Sequence, residues 1–170
     1  FAILSNNYEH LNQVEDKPNH QNEKYFFPEG STKSNQIKIK EAELSGECGP
    51  SLNFTIEADT LIISGEGQMN DYNESNLGPW FSESEFIKNV IFPSSITSIG
   101  AYSFSNCSNI ESISIPESVN LINVAAFRCC SKLKSITIPI KVTSIENWTF
   151  QFCISLNEVV FLGNITSIGS

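Results

Sequence analysis

Ile110–Lys132 reads IESISIPESVNLINVAAFRCCSK, and its neighbours repeat that pattern at a spacing of 23 residues. Ile87–Asn109 (IKNVIFPSSITSIGAYSFSNCSN) and Leu133–Ser155 (LKSITIPIKVTSIENWTFQFCIS) align with it without a gap, and Leu156–Ser170 (LNEVVFLGNITSIGS) begins a fourth copy. A fixed period of this size predicts a solenoid, in which each copy buries its apolar face against the next. Stacked coils build a long surface rather than one enclosed pocket, which favours binding over catalysis.

Within each copy, apolar residues alternate: Ile87, Val90 and Phe92; Ile110, Ile113 and Ile115; Leu133, Ile136 and Ile138; Leu156, Val159 and Phe161. Period-two β-branched and apolar residues predict a short strand with one buried face. Pro93, Pro116 and Pro139 stop it, because proline cannot donate to a sheet ladder. A second apolar pair follows in Ile96/Ile99, Val119/Ile122, Val142/Ile145 and Ile165/Ile168, marking another inward segment. Gly100, Asn123 and Gly169 then stand where a positive φ is easiest, with Glu146 breaking the column. The return carries Phe104, Phe127 and Phe150, then Cys107, Cys130 and Cys153, as core columns. At ordinary strand spacing the visible coils would stack to about 17 Å.

Three regions follow. Residues 1–43 are polar, with no apolar period, and read as a disordered tail or linker in which Tyr25, Phe26 and Phe27 form the one cluster suited to docking. Residues 44–86 read as an N-terminal β cap: LNFTIE and TLIIS flank Ala58-Asp59 as a hairpin. Residues 87–170 hold three full coils and a partial fourth. The opening Phe-Ala-Ile-Leu fits the tail of a signal peptide's apolar region. Because Ser170 falls within a coil, leaving Phe161, Ile165 and Ile168 at an open edge, the register predicts that the protein continues or caps itself by association.

Charge narrows the partners. A formal net charge of −9 and a pI near 4.6 argue against a sequence-independent grip on nucleic acid and against a polybasic membrane contact. No apolar run approaches the ~18 residues of a membrane helix, so no membrane insertion is expected within this stretch. Both histidines, His10 and His20, lie in the polar tail, and no G-x-S-x-G, H-E-x-x-H or P-loop pattern occurs. An enzyme is therefore not expected, nor a cofactor. The five cysteines lack zinc-ligand spacing, so no metal is expected either. Cys129 should point away from the core position taken by Cys130, while Cys48 is left open between free thiol and disulfide. SGEG at 64–67 reads as a cap turn, and Asp59, Asp71, Glu83 and Glu85 as solvated acids; Asp71 with Glu66 lacks the spacing of an EF-hand.

SGECG at 45–49, LIISGEGQMNDY at 61–72, Gly78-Pro79-Trp80 and coils of the form Leu-x-x-Ile-x-Ile-Pro-x-x-Val-x-x-Ile-x-x-x-x-Phe-x-x-Cys closely resemble BspA-like leucine-rich repeat proteins, of the treponemal 23-residue type. The resemblance covers residues 44–170. It implies a mainly β, right-handed leucine-rich repeat solenoid with a β-hairpin cap, found at the cell surface or secreted, and adhesive towards host cells or matrix proteins. Trp148, Leu121 and Asn123 depart from the residues usual in their columns, and the family's anchoring segment is not visible.

Strand alternation assigns the binding surface. With Val90 and Phe92 inward, Ile91 points out, as do Ser114, Thr137 and Val160, flanked by Asn89, Ser112, Ser135 and Glu158. Such an array suits an extended protein ligand; the plainer reading is a solvated face. The alternative function is a non-catalytic structural or scaffolding solenoid, intracellular, that self-associates through its C-terminal edge. Asn53, Asn73, Asn147 and Asn164 head N-glycosylation sequons, with Asn73 in the most polar loop; a fifth, at Asn106, adjoins the core Cys107.

Overall fold

Three ladders of backbone hydrogen bonds hold the coils together, and from coil to coil each runs in the 23-residue register of the sequence. The computed structural model describes residues 44–170, which belong to one unit, Ile39–Ser170. The tail expected at 1–43, with its Tyr25–Phe27 cluster and both histidines, lies outside the described residues. In chain order the strands are β1 (Ser45–Gly49), β2 (Leu52–Glu57), β3 (Thr60–Gly65), β4 (Gly67–Gln68), β5 (Asn89–Ile91), β6 (Ile96–Ile99), β7 (Ser112–Ile113), β8 (Leu121–Ile122), β9 (Ser135–Ile138), β10 (Ser144–Ile145), β11 (Glu158–Phe161) and β12 (Ser167–Ile168).

The first coil ladder joins β7, β9 and β11 in parallel, with Ile113 opposite Ile136 and Ile136 opposite Val159. The second runs through β4, β6 and β8 and resumes between β10 and β12, pairing Ile99 with Ile122 and Ile145 with Ile168. Since the pleat has a period of two, a one-residue slip would turn every isoleucine of a strand outward, and the apolar alternation therefore fixes the register. The prolines close each strand as expected: Pro93, Pro116 and Pro139 offer their carbonyls to Ile96, Val119 and Val142 three residues later.

The return segment builds the third ladder by a device that the sequence does not advertise. Tyr102, Phe104 and Asn106 donate to the carbonyls of Val124, Ala126 and Arg128, and Ala125, Phe127 and Cys129 donate to Asn147, Thr149 and Gln151, at 2.8–3.1 Å. Intervening amides turn back on their own coil, as in Ser105 to Tyr102 and Cys107 to Phe104. Alternation of this kind requires left-handed residues, and they fall in two columns: Tyr102, Ala125 and Trp148 (φ 53°, 54° and 60°), and Asn106, Cys129 and Phe152 (φ 67°, 61° and 61°). Gly100, Asn123 and Gly169, where positive φ was expected, do not adopt it. Gly100 is required for space, because a Cβ there would overlap the backbone carbonyl of Asn70. Asn147 crowds Gly169 in the same way.

The cap is a coil in disguise. β1, β2 and β3 form an antiparallel meander whose hairpin turns at Ala58 (φ 55°). β3 then switches the sheet to parallel by pairing with β5, Leu61 beside Val90. Gly67 of β4 lies opposite Ile96, and Trp80 supplies the aromatic of this first, longer turn. Its ring stacks on Phe104 with centroids 5.6 Å apart, Phe104 on Phe127 at 5.5 Å and Phe127 on Phe150 at 5.9 Å. Trp80 Nε1 donates to the Ser103 carbonyl at 2.8 Å, so its one polar atom is satisfied where it is buried.

Beside this stack the thiol column is buried as predicted. Cys130 Sγ donates to the Phe104 carbonyl and Cys153 Sγ to that of Phe127. All five cysteines are free, and Cys48, left open by the sequence, is fully buried in the cap. Burial pushes Cys48 up to about 11 and Cys107 up to about 12, while the hydrogen bond to Cys153 together with burial raises Cys130 well above 9.0. The final coil is more open: Phe161 and Ile168 are exposed, and Val159 and Ile165 are only half-buried.

This packing can be tested at the alanines and at the thiols. Ala125 and Ala126 are both buried, yet only Ala125 is left-handed; A125G should therefore be more stable than A126G by about 1 kcal/mol or more, since glycine relieves strain at the first site and only loosens the chain at the second. Equal urea midpoints would refute the left-handed column. Raised thiol values in the fold mean that the unfolded chain ionises first: stability from Cys48 and Cys107 is complete below pH 9 and is lost as pH rises towards about 11 and about 12. The urea midpoint should fall across that window, and at pH 8 maleimide should label half-buried Cys129 before Cys48, Cys107 or Cys130.

Candidate recognition surface

The outward row of the strand ladder stands where alternation placed it. Ile91 is 53% exposed and Val160 39%. Asn89, Ser112, Ser114, Thr137 and Glu158 are exposed too, and Ser135 is half-buried. β9 and β11 set Ser135 beside Glu158 and Thr137 beside Val160, and β7 sets Ser112 beside Ser135. Together with Ser114 these residues make one patch of small hydroxyls ending on a carboxylate and a valine.

Asn89 and Ile91 do not continue that hydrogen-bonded sheet. β5 belongs to the cap sheet, where Asn89 pairs with Thr60 and Ile91 with Ile62. The eight candidates therefore divide between two sheets, and the outward row extends into the cap through half-buried Thr60 and Ile62. Sequence reasoning missed these two, although the alternation of TLIIS carried the signal; a longer first turn hid their register.

Charged side chains flank the row with alternating sign. Lys88 meets Asp59 at 3.2 Å and Lys134 meets Glu111 at 2.6 Å. Hydrogen bonds from those lysines hold both carboxyls below the usual carboxylate range. Lys132 Nζ also donates to Asn109 Oδ1, so the column stays ordered without burying a charge.

The opposite, return side is occupied in part by the protein itself. Tyr72 and Leu77 of the cap loop pack on Ala101, Tyr102 and Ala125. Arg128 reaches from Glu74 (3.5 Å) to Gln151 Oε1 (2.8 Å) and lies over the Phe152 ring at 5.8 Å. Asp71, exposed as the sequence suggested, ties the cap loop to the coils, since its Oδ1 accepts from the Ala101 amide and from Asn123 Nδ2, both at 2.7 Å. Asn147 Oδ1 accepts from the Ser170 amide at the equivalent place. Among the sequon asparagines, Asn53, Asn73, Asn147 and Asn164 are exposed and Asn106 is half-buried. Asn73 Oδ1 caps its own turn by accepting from the amides of Ser75 and Asn76.

A parallel coil stack with an outward strand row, closed at one end by a Trp-bearing cap, is the geometry of a repeat recognition protein. The sequence pattern of the BspA type Leucine rich repeat region (6 copies) matches residues 79–170, more than half of the chain. The chain belongs to the BspA-type leucine-rich repeat family. Two solved structures share this fold. One is a leucine-rich repeat protein from Eubacterium ventriosum, 24% identical, with a TM-score of 0.57 over 75% of this chain and 40% of that one. The other is a leucine rich cell surface protein from Faecalibacterium prausnitzii, 19% identical, with a TM-score of 0.50 over 72% of this chain and 40% of that one. The BspA-type chain thus spans 40% of the length of each. No curated protein matches it. As a BspA-type repeat, it is a protein-binding module in kind. No helix among the described residues is long and apolar enough to cross a membrane.

Lys134→Ala tests the flanking charges. Its partner Glu111 is then left free, and the Glu111 carboxyl should titrate closer to its ordinary value; carbon-detected NMR of the side-chain carboxyl measures the change. An unmoved Glu111 would show that the pair is not held in solution.

Proposed function

We propose that this chain is a cell-surface or secreted recognition module that adheres to host-cell or matrix proteins through its outward strand row. The observation that carries the reading is the patch of Ser112, Ser135, Thr137, Glu158 and Val160, which β7, β9 and β11 hold in register, with exposed Ser114 just beyond β7, and which no other described segment covers. Short hydroxyl side chains on a rigid sheet cost little conformational entropy when a partner lands on them, and Val160 offers an apolar contact at the rim. Asn89 and Ile91, with Thr60 and Ile62, provide a second contact zone on the cap sheet. Likeness to a structure described as a cell surface protein supports the location.

The test is binding of the purified chain to host-cell surfaces and immobilised matrix proteins. Thr137→Lys and Val160→Asp should each weaken binding about tenfold or more while leaving the fold intact, because both side chains are exposed. Unchanged binding by folded variants would remove the strand row from the reading.

Glycosylation is a further proposal for the exposed sequons at Asn53, Asn73, Asn147 and Asn164, read out as a mass increase after secretion from a eukaryotic host.

A further inference from the structure

Between Trp80 and Ile87, both buried, the chain makes a tight turn that displays two phenylalanines to solvent: Phe81 is 47% exposed and Phe86 63%. The turn is rigid. Phe81 donates to the Gly78 carbonyl, Glu83 to Trp80, and Ser84 to Phe81, while Phe86 and Ile87 both donate to Glu83. Asn109 of the first coil holds the Glu85 carbonyl from the side. A cleft of about 600 Å³ opens beside it, lined by Phe81, Ser82, Ser84, Glu85, Asn106 and Ser108. Large aromatics held outward on an ordered turn, next to hydroxyl and amide groups, are the composition of a binding anchor rather than of an inert surface.

Charge indicates what would dock there. Residues 44–86 contain eight carboxylate side chains and no Lys or Arg, whereas residues 87–170 contain four carboxylates against five Lys and Arg. Two cap acids are compensated, Asp59 by Lys88 and Glu74 by Arg128. Among the described residues neither Glu83 nor Glu85 takes part in an ion pair. The field at this end is therefore strongly negative, which would repel an anionic lipid surface or nucleic acid and disfavours a second copy of the same cap.

We infer that the Phe81–Phe86 turn and its cleft are a second docking site, separate from the strand row, for a cationic peptide segment of a partner protein that carries apolar side chains. Apolar groups of the segment rest on Phe81 and Phe86; its Lys or Arg residues meet Glu85 and Glu83, and Ser82 and Asn106 offer hydrogen bonds to its backbone.

Fluorescence anisotropy of the full chain with labelled synthetic peptides tests the site, using an alternating Arg/Leu peptide, an Arg/Ser peptide of equal charge and a Glu/Leu peptide. The Arg/Leu peptide should bind about tenfold more tightly than either control. Phe86→Ser and Glu85→Gln should each weaken it severalfold at an unchanged thermal midpoint, since both side chains are exposed. Ile91→Ser, on the strand row, should leave it unaltered, which separates this site from the adhesive face. Equal binding of the Arg/Leu and Arg/Ser peptides, or wild-type affinity in both turn variants, would overturn the inference.

Discussion

Stacking of Trp80, Phe104, Phe127 and Phe150 is the interaction on which the rest of this structure depends. Each ring is the floor of one turn and the ceiling of the next, at 5.5–5.9 Å. An aromatic column of this kind demands that every turn present its ring at the same height, and the hydrogen-bond ladders enforce that condition. In a solenoid each turn touches only its neighbours, so stability accumulates as a chain of nearest-neighbour terms. Removing one ring therefore weakens two interfaces at once.

The cap explains how such a chain begins. A parallel stack exposes an unpaired edge at its first coil, a standing risk for association. Here β3 presents an antiparallel face to β2 and a parallel face to β5, and Trp80 fills the aromatic column one step before Phe104. The edge is thus converted rather than merely covered. Residues 44–86 carry an acidic surplus, whereas within the coils Lys134 answers Glu111.

Much of this was legible in the sequence, for a definite reason. A repeat shows each structural role several times, so Val90, Ile113, Ile136 and Val159 reveal an inward strand position that one copy could not. The phenylalanine and cysteine columns and the proline stops were readable on the same ground, and the cap hairpin from the alternation of LNFTIE and TLIIS about Ala58-Asp59. Backbone conformation was not: Tyr102, Ala125 and Trp148 share a left-handed φ while sharing no chemistry, because the ladder imposes the conformation from outside the residue. Conversely, Gly100 and Gly169 looked like turn residues and serve instead to admit a neighbouring backbone. The recognition row was half legible. Alternation told which side chains face out, but the break between β5 and β7 and the extension to Thr60 and Ile62 depend on the irregular length of the first turn, which no period could show.

The chain's two tryptophans allow the central claim to be measured directly. With Trp148 replaced by Phe, Trp80 is the sole indole and reports the cap alone, while far-ultraviolet circular dichroism reports the whole stack. Phe127→Ala, two rings away from Trp80, should then lower stability by about 3–5 kcal/mol and move the Trp80 transition together with the dichroism in urea. If the Trp80 transition keeps its midpoint while the dichroism shifts, the cap is not part of a continuous column and the account is contradicted.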